Sequence, residues 1–305
     1  MPRSLRAHAL PIALPLALLS SACSINKLAI NKLGDALAGS GTTFASDDDP
    51  ELIAAAVPFS LKLMESLLES SPRHEGLLLA ATSGFTQYGY AFVQQDADRL
   101  ETTDVAAAAA ARNRARGLYL RARDLGLRGL TVRHAGFAEA LRRDPRTTLS
   151  TLTRRDVPML YWTAAAWGAA LSVSKEIADL IADQPTIEAM IDRALALDER
   201  FDSGSIHGFL ISYESSRQGA TGDPNARSRA HFDRAVALTD GNLASPFVSY
   251  AEAVSVATQN RPEFEAMLGR ALAIDVNARP EWRLANVVFQ RRARWLLARI
   301  DELFL

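Results

Sequence analysis

Four short segments of this chain repeat one pattern, and that repeat restricts the fold more than any other feature. Each has an aromatic or aliphatic residue, then x-Arg-Ala, then an apolar residue three positions on, at 119–125, 191–197, 232–238 and 268–274. Positions three apart fall on one face of an α-helix. The shared alanine is a small residue on that face, where a neighbouring helix can come close, and the apolar residues beside it fill the surrounding core. Ala122, Ala194, Ala235 and Ala271 are separated by 72, 41 and 36 residues. Those steps approximate two, one and one units of a helix-hairpin repeat about 34 residues long.

Helical periodicity extends through most of the chain and strand signals are nearly absent. Apolar residues at Ile25, Leu28, Ile30, Leu33 and Leu37 predict a short amphipathic helix over 24–37. Residues 38–48 read as a loop rich in turn formers. Asp49 then stands as an N-cap, with Pro50 at the first helical position and Glu51 in the first turn. The run Asp47-Asp48-Asp49 lacks the spaced oxygen ligands and the glycine of a calcium loop, so helix capping accounts for it. Further helices are expected over 50–70, 75–97, 105–125, 130–143, 155–174, 186–198, 205–216, 224–239, 244–259, 262–274 and 281–302. The repeated motif corresponds to the second helix of a tetratricopeptide unit. The first-helix signature is out of place and no proline closes the units, so the repeats are degenerate. The expected fold is all-α: a degenerate tetratricopeptide-like helix-hairpin array forming a compact bent solenoid, with a concave surface or an enclosed cavity.

The N-terminus carries an address. Arg3 and Arg6 precede an apolar run from Ala9 to Leu19, too short to span a bilayer as a mature helix. Small residues lead to Cys23, the only cysteine of the chain, so no internal disulfide framework is available to it. The reading is a lipoprotein signal peptide at 1–22, with acyl chains such as palmitate on Cys23. A lipidated segment with a short helix and linker follows at 23–48, and a helical domain at 49–305. Stable anchoring takes more than one lipid chain, which a multiply acylated cysteine supplies. Bacterial lipoprotein sites prefer leucine three residues before the cysteine; here Ser20 stands there, with Leu19 one further back. Ser24, rather than an aspartate, favours the outer membrane. Loss of residues 1–22 removes two arginines and no acid, leaving 32 basic against 35 acidic residues. That balance, without arginine-aromatic patterning, points away from nucleic acid.

No constellation for catalysis, cofactor or metal is present. The histidines at 8, 74, 134, 207 and 231 show no metal-ligand spacing, and there is no nucleophile elbow or phosphate-cradling glycine loop. A non-catalytic protein is expected. Tyr161, Trp162 and Trp167 are the most suggestive internal residues. They cannot share one helix face, so they either fill inter-helix space on two sides or line a ligand cavity or pore, which such sites build from apolar walls with a few polar anchors. Tyr213 and Tyr250 are further candidates for such a wall. Arg142, Arg143, Arg146, Arg154 and Arg155 flank helix ends, where cations are favoured; a carboxylate funnel is the other reading. Arg291, Arg292, Arg294 and Arg299 are expected on the solvated face of the last helix.

Taken in order, Asn31-Lys32-Leu33-Gly34-Asp35-Ala36-Leu37, Asp49-Pro50-Glu51-Leu52, Leu160-Tyr161-Trp162 with Trp167-Gly168, and Ala194 to Asp198 resemble the T component of tetratricopeptide-repeat-associated TRAP transporters, often called TatT. His231-Phe232, Ala271 to Asp275, Arg283-Leu284-Ala285-Asn286 and Arg292 to Leu297 extend the resemblance to about residue 303. It implies a periplasmic helical lipoprotein that partners a TRAP-type substrate-binding protein, assembles as a homotrimer and carries a pore or ligand cavity, while separate membrane subunits do the transport. A tetratricopeptide-like scaffold for envelope assembly, without any ligand, is the alternative function. The substrate and the pore-lining residues are not legible. Cys23→Ser is expected to abolish fatty-acid labelling and release the protein into the soluble periplasm; unchanged membrane retention would place the anchor elsewhere.

Overall fold

The computed structural model describes residues 31–39, 41–217 and 219–304. Cys23 and the expected leader at 1–22 lie outside the described residues, as does most of the segment expected to form the first amphipathic helix, of which residues 31–38 are helical. All regular structure among the described residues is helical, so the all-α expectation holds. Asp49 caps α1 (Pro50–Ser70) by accepting from the Leu52 amide at 3.0 Å. Then come α2 (Glu75–Tyr88), a π turn (Gly89–Gln94), α3 (Gln95–Leu100) and the long α4 (Val105–Arg133). Two short helices, α5 (Phe137–Arg143) and α6 (Pro145–Ser150), precede α7 (Val157–Ser172), α8 (Ala178–Ala182) and α9 (Gln184–Leu197). The last third holds α10 (Ser205–Tyr213), α11 (Pro224–Leu238), α12 (Ser245–Tyr250) with a second π turn (Ala251–Ser255), α13 (Arg261–Leu272), α14 (Arg283–Ala298) and α15 (Ile300–Leu303).

Three local readings are corrected. Residues 38–48 are not all loop, since Gly41–Ala45 is a short helix. The helix α8 falls in the interval left unassigned between 174 and 186. No break separates 125 from 130. Gly126 and Gly129 there are not helix breakers but contact points: a Cβ at either would collide with Thr163 or Met159 of α7. Missing side chains let α4 and α7 approach closely, and helical hydrogen bonding carries the chain through.

The motif alanines do what their pattern requires. Ala122, Ala194 and Ala271 are wholly buried and Ala235 almost so, and the leading residues Tyr119, Ile191, Phe232 and Leu268 are buried beside them. The motif arginines reach to the preceding unit. Arg121 lies over Phe85 and Arg270 over Phe247, at 5.4 and 4.4 Å from the ring centres. Arg193 donates to the carbonyls of Ser150 and Leu152 at 3.1 and 2.5 Å, and Arg234 pairs with Glu199. These contacts tie successive hairpins together, most firmly through the part-buried hydrogen bond from Arg193 to the Leu152 carbonyl.

Most helices pack on the next through α13 on α14, with α6 packing instead on α9, and the array then returns on itself, because α14 also packs against α1 and the Gly41–Ala45 helix. Arg291 clamps Glu51 across 240 residues of sequence, and Arg283 donates to the Ser46 carbonyl at 3.0 Å. The buried side chains form two clusters, from Leu61 to Leu210 and from Ile211 to Phe304, meeting within α10.

At that meeting point His207 of α10 and His231 of α11 face each other with their Nδ1 atoms 2.9 Å apart, so one ring donates to the other and only one proton fits between them. Burial lowers both pKa values from 6.5; Glu199 opposes this at His207 and Glu214 at His231. Arg234 reinforces the shift at His207, and for His231 so do His207 itself and Arg217, while Asp192 opposes it. A base whose folded pKa is depressed contributes stability in full above its unfolded value, and that stability is lost as pH falls below about 6.5 toward the folded value. Asp156 titrates in another window: burial raises it, but hydrogen bonds from His134 and Thr153 outweigh burial and hold it down to about 2. Urea denaturation is therefore expected to show stability falling between pH 7.5 and 5.5, with a shallower slope in His207→Gln. An equal slope in that variant would show that the pair does not titrate on unfolding.

Candidate functional site

A cavity of about 960 Å³ lies where the two hydrophobic clusters meet. It falls within the range of small-molecule sites, roughly 300–1,000 Å³. Its space comes from small residues on facing helices: Ala165, Gly168 and Ala169 of α7, and Gly208 of α10. Aromatic rings close around that space, Tyr161 and Trp162 from α7, Phe209 and Tyr213 from α10, Tyr90 from the first π turn and Phe289 from α14. The stretch from Thr239 to Ser249 adds hydroxyls and apolar groups, and exposed Gln87, Lys175, Ile181 and Ser212 form the rim.

Of the residues singled out in the sequence, Tyr161, Trp162 and Tyr213 line this cavity. The Tyr161 hydroxyl donates to the Ser205 carbonyl at 3.1 Å, and its ring meets Trp162 edge-on at 5.0 Å. Burial raises its pKa far above the ordinary tyrosine value, as it does for Tyr213, so both hydroxyls act as neutral donors or acceptors. Tyr213 stacks on Phe209 at 5.1 Å. Trp167 points the other way: its Nε1 donates to Asp183 at 3.1 Å and Arg123 covers its ring at 5.2 Å. Tyr250 packs on Phe232 at 4.7 Å with its hydroxyl 3.4 Å from Glu263. The arginine group at the helix ends is split up; Arg154 pairs with Asp198 at 2.8 Å, and Arg142 edges a separate groove between α4 and α5.

The cavity wall includes a strained turn. Asp202, Ser203 and Gly204 have φ of 47°, 55° and 90° in succession, a left-handed path that costs about 1–3 kcal/mol for each non-glycine residue. It delivers Ser203 and Ser205 to the wall and the Ser205 carbonyl to Tyr161. Ser205 supports the turn by donating to Asp202 at 2.7 Å.

The main residue missed in the sequence is Arg292. It is not on the solvated face but 9% exposed, on the cavity wall. Its Nε is 3.1 Å from both oxygens of Glu252, its Nη2 2.6 Å from Glu252, and its Nη1 2.8 Å from Asp98. Burial alone would lower its pKa; the charges and hydrogen bonds of Glu252 outweigh that, with help from Asp98, and hold it well above the ordinary value. One side chain thereby joins α14, the second π turn and α3, which lies 194 residues away in sequence. Tyr90 and Phe289, in ring contact at 5.9 Å, pack across the same junction. A signal existed: Phe289, Arg292 and Leu296 follow i, i+3, i+7 spacing on the buried face of α14, so Arg292 is on the inside of its helix. The two π turns, a class of irregularity often found at functional sites, have no comparable signature in the sequence.

Among the described residues no group of three or more His, Cys, Asp or Glu could hold a metal ion. No helix among them is long and apolar enough to cross a membrane. The geometry defines a helical-repeat protein closed around a ligand-sized cavity. A family model described as TRAP transporter T-component matches residues 46–304. A Treponema pallidum (strain Nichols) protein, named only as uncharacterized, is 30% identical over 306 residues, which is 94% of this chain and 95% of that one. The chain belongs to the TRAP transporter T-component family, a family of transporter accessory components.

Removing one partner from a buried ion pair strands the other charge, at about 3–5 kcal/mol when burial is complete. Asp98 and Glu252 keep some solvent access, so Arg292→Met is expected to destabilise the protein by about 2–4 kcal/mol in urea denaturation. A loss below about 0.5 kcal/mol would mean that the junction closes without this arginine.

Proposed function

We propose that this protein is a non-catalytic, exported lipoprotein of a TRAP-type solute uptake system. It is tethered at Cys23 on the periplasmic side, with the outer membrane as the favoured anchor, and docks the system's substrate-binding protein. The cavity holds or passes a small ligand, and the assembled form is a homotrimer. The observation that carries this reading is the cavity itself: family membership supplies the transport setting, and a space of about 960 Å³ walled by Tyr161, Trp162, Phe209 and Tyr213 supplies a place for a ligand. Tethering raises the effective concentration of a docked partner at the membrane, and the cavity offers that partner's cargo a sheltered position. Catalysis is not needed for either task. An envelope-assembly scaffold would have no use for such a space, so the cavity favours uptake. Affinity capture of the lipidated protein from its own host separates the two. Capture of a TRAP-type substrate-binding protein is the expected result, while envelope-assembly subunits with no binding protein would refute the uptake reading.

A further inference from the structure

The segment that follows the expected lipid site is fixed to the body at one place. Residues 31–38 are helical and meet the turn between α1 and α2. Ser71 donates to the Asn31 side chain at 2.7 Å, while His74 Nε2 lies 3.2 Å from the Asn31 carbonyl and 3.4 Å from Asp35. Gly34 sits so close that a Cβ there would collide with His74 and Leu77. Asn31 is eight residues beyond Cys23, and a fully extended chain of that length reaches about 28 Å. A bilayer holding acyl chains on Cys23 is therefore confined to the neighbourhood of the α1–α2 turn.

The groove between α4 and α5 opens at that turn. Pro72 and Arg73, directly after the Ser71 contact, line it together with Arg128 of α4 and Arg142 of α5, around a space of about 480 Å³. Three arginines stand in its wall against one acid, Asp124, which is already paired with Arg123 at 2.8 Å. None of the three guanidiniums meets a described carboxylate. Arg128 donates to the Pro72 carbonyl at 2.9 Å and Arg73 to the Val132 carbonyl at 3.3 Å, bonds that leave the charge unopposed. Exposed Arg142 has no hydrogen bond or ion pair with another described residue. Arg143 and Arg146, also exposed, continue the basic run; Glu139 and Asp144 are the acids of that stretch. The mature chain as a whole carries three more acids than bases, so attraction to an anionic surface has to come from a local face such as this one.

Resting on the lipid tether proposed above, we propose that this end of the protein is its membrane-facing surface. Arg73, Arg128 and Arg142 receive phosphate headgroups of anionic phospholipid in the bilayer that holds Cys23. A guanidinium presents its donors in a fork that matches phosphate oxygens. Each basic side chain near an anionic surface strengthens partitioning about fivefold, and the attraction fades beyond a Debye length of about 10 Å. The acyl chains supply attachment, and the arginines decide which face of the body lies against the surface.

The test uses the mature chain from residue 23 with Cys23→Ser, so that no acyl group contributes, in sedimentation with vesicles at about 50 mM salt. Vesicles of phosphatidylcholine with about 30% phosphatidylglycerol should bind it at least about tenfold better than phosphatidylcholine alone, and about 0.5 M salt should remove the difference. Arg73→Gln combined with Arg142→Gln should lower binding to the anionic vesicles by about tenfold or more. Arg261→Gln combined with Arg279→Gln, the same change of net charge elsewhere in the chain, should leave it unaltered. If the first pair misfolds, Arg142→Gln alone, at a side chain without partners, should still lower binding about fivefold. Equal binding to the two kinds of vesicle, or equal loss in the two double variants, overturns the inference. Calorimetric binding of inorganic phosphate by a protein that ignores the vesicles would make the groove a small-anion site and overturns it as well. Fatty-acid labelling at Cys23 reads the tether separately. Labelling without a preference for anionic vesicles leaves the tether standing and refutes this face, and the preference without labelling supports the face and refutes the tether.

Discussion

Close contact through small residues sets how the repeat helices stack in this protein, and much of the architecture follows from that contact. Ala122, Ala194, Ala235 and Ala271 occupy the same place in the repeated motif and are all buried. Gly126 and Gly129 extend the principle to the junction of α4 with α7, where a single methyl group would meet Thr163 or Met159. Interiors are packed as densely as organic crystals, so close backbone approach at these points sets helix spacing along the whole array. Gly168 carries the same small-residue economy to the cavity side of α7, where a Cβ would meet the Phe209 ring.

An array built this way would be open-ended, since each unit touches only its neighbours. Here the ends meet. Arg283, Arg291 and Arg292 of α14 reach Ser46, Glu51 and Asp98 respectively, across 237, 240 and 194 residues of sequence. Closure turns a concave surface into a cavity, and Arg292 takes part in both, holding the junction and standing in the cavity wall. Stability and ligand chemistry are therefore coupled at one side chain.

Much of this was legible in order and kind. The Asp49 N-cap, the all-helical class and the inward face of each repeat follow from short-range spacing, which helical geometry translates directly into side-chain direction. The aromatic residues on the cavity were only half legible. Tyr161 and Trp162 as neighbours, with Trp167 five residues on, showed that α7 must present rings on two sides, but not which side faced a void. Trp167 found Asp183 and Arg123, while Trp162 was left facing open space. Arg292 was misjudged for a related reason: arginines in a basic run look solvated unless their partners are known, and those partners are distant in sequence.

Local periodicity by itself determined that this chain is a helical repeat protein with a small-residue seam, and the N-terminal pattern set the expectation of export and lipid attachment at Cys23. Those properties depend on residues within a few turns of one another. Tertiary structure decided where the array closes, that the meeting of two hydrophobic clusters leaves a cavity, and that Arg292 in its wall is paired with Glu252 and Asp98. Each of these depends on contacts between residues far apart in the chain. Helical spacing fixes the direction of a side chain but not the identity of what it meets, and that meeting determines the electrostatic character of the cavity.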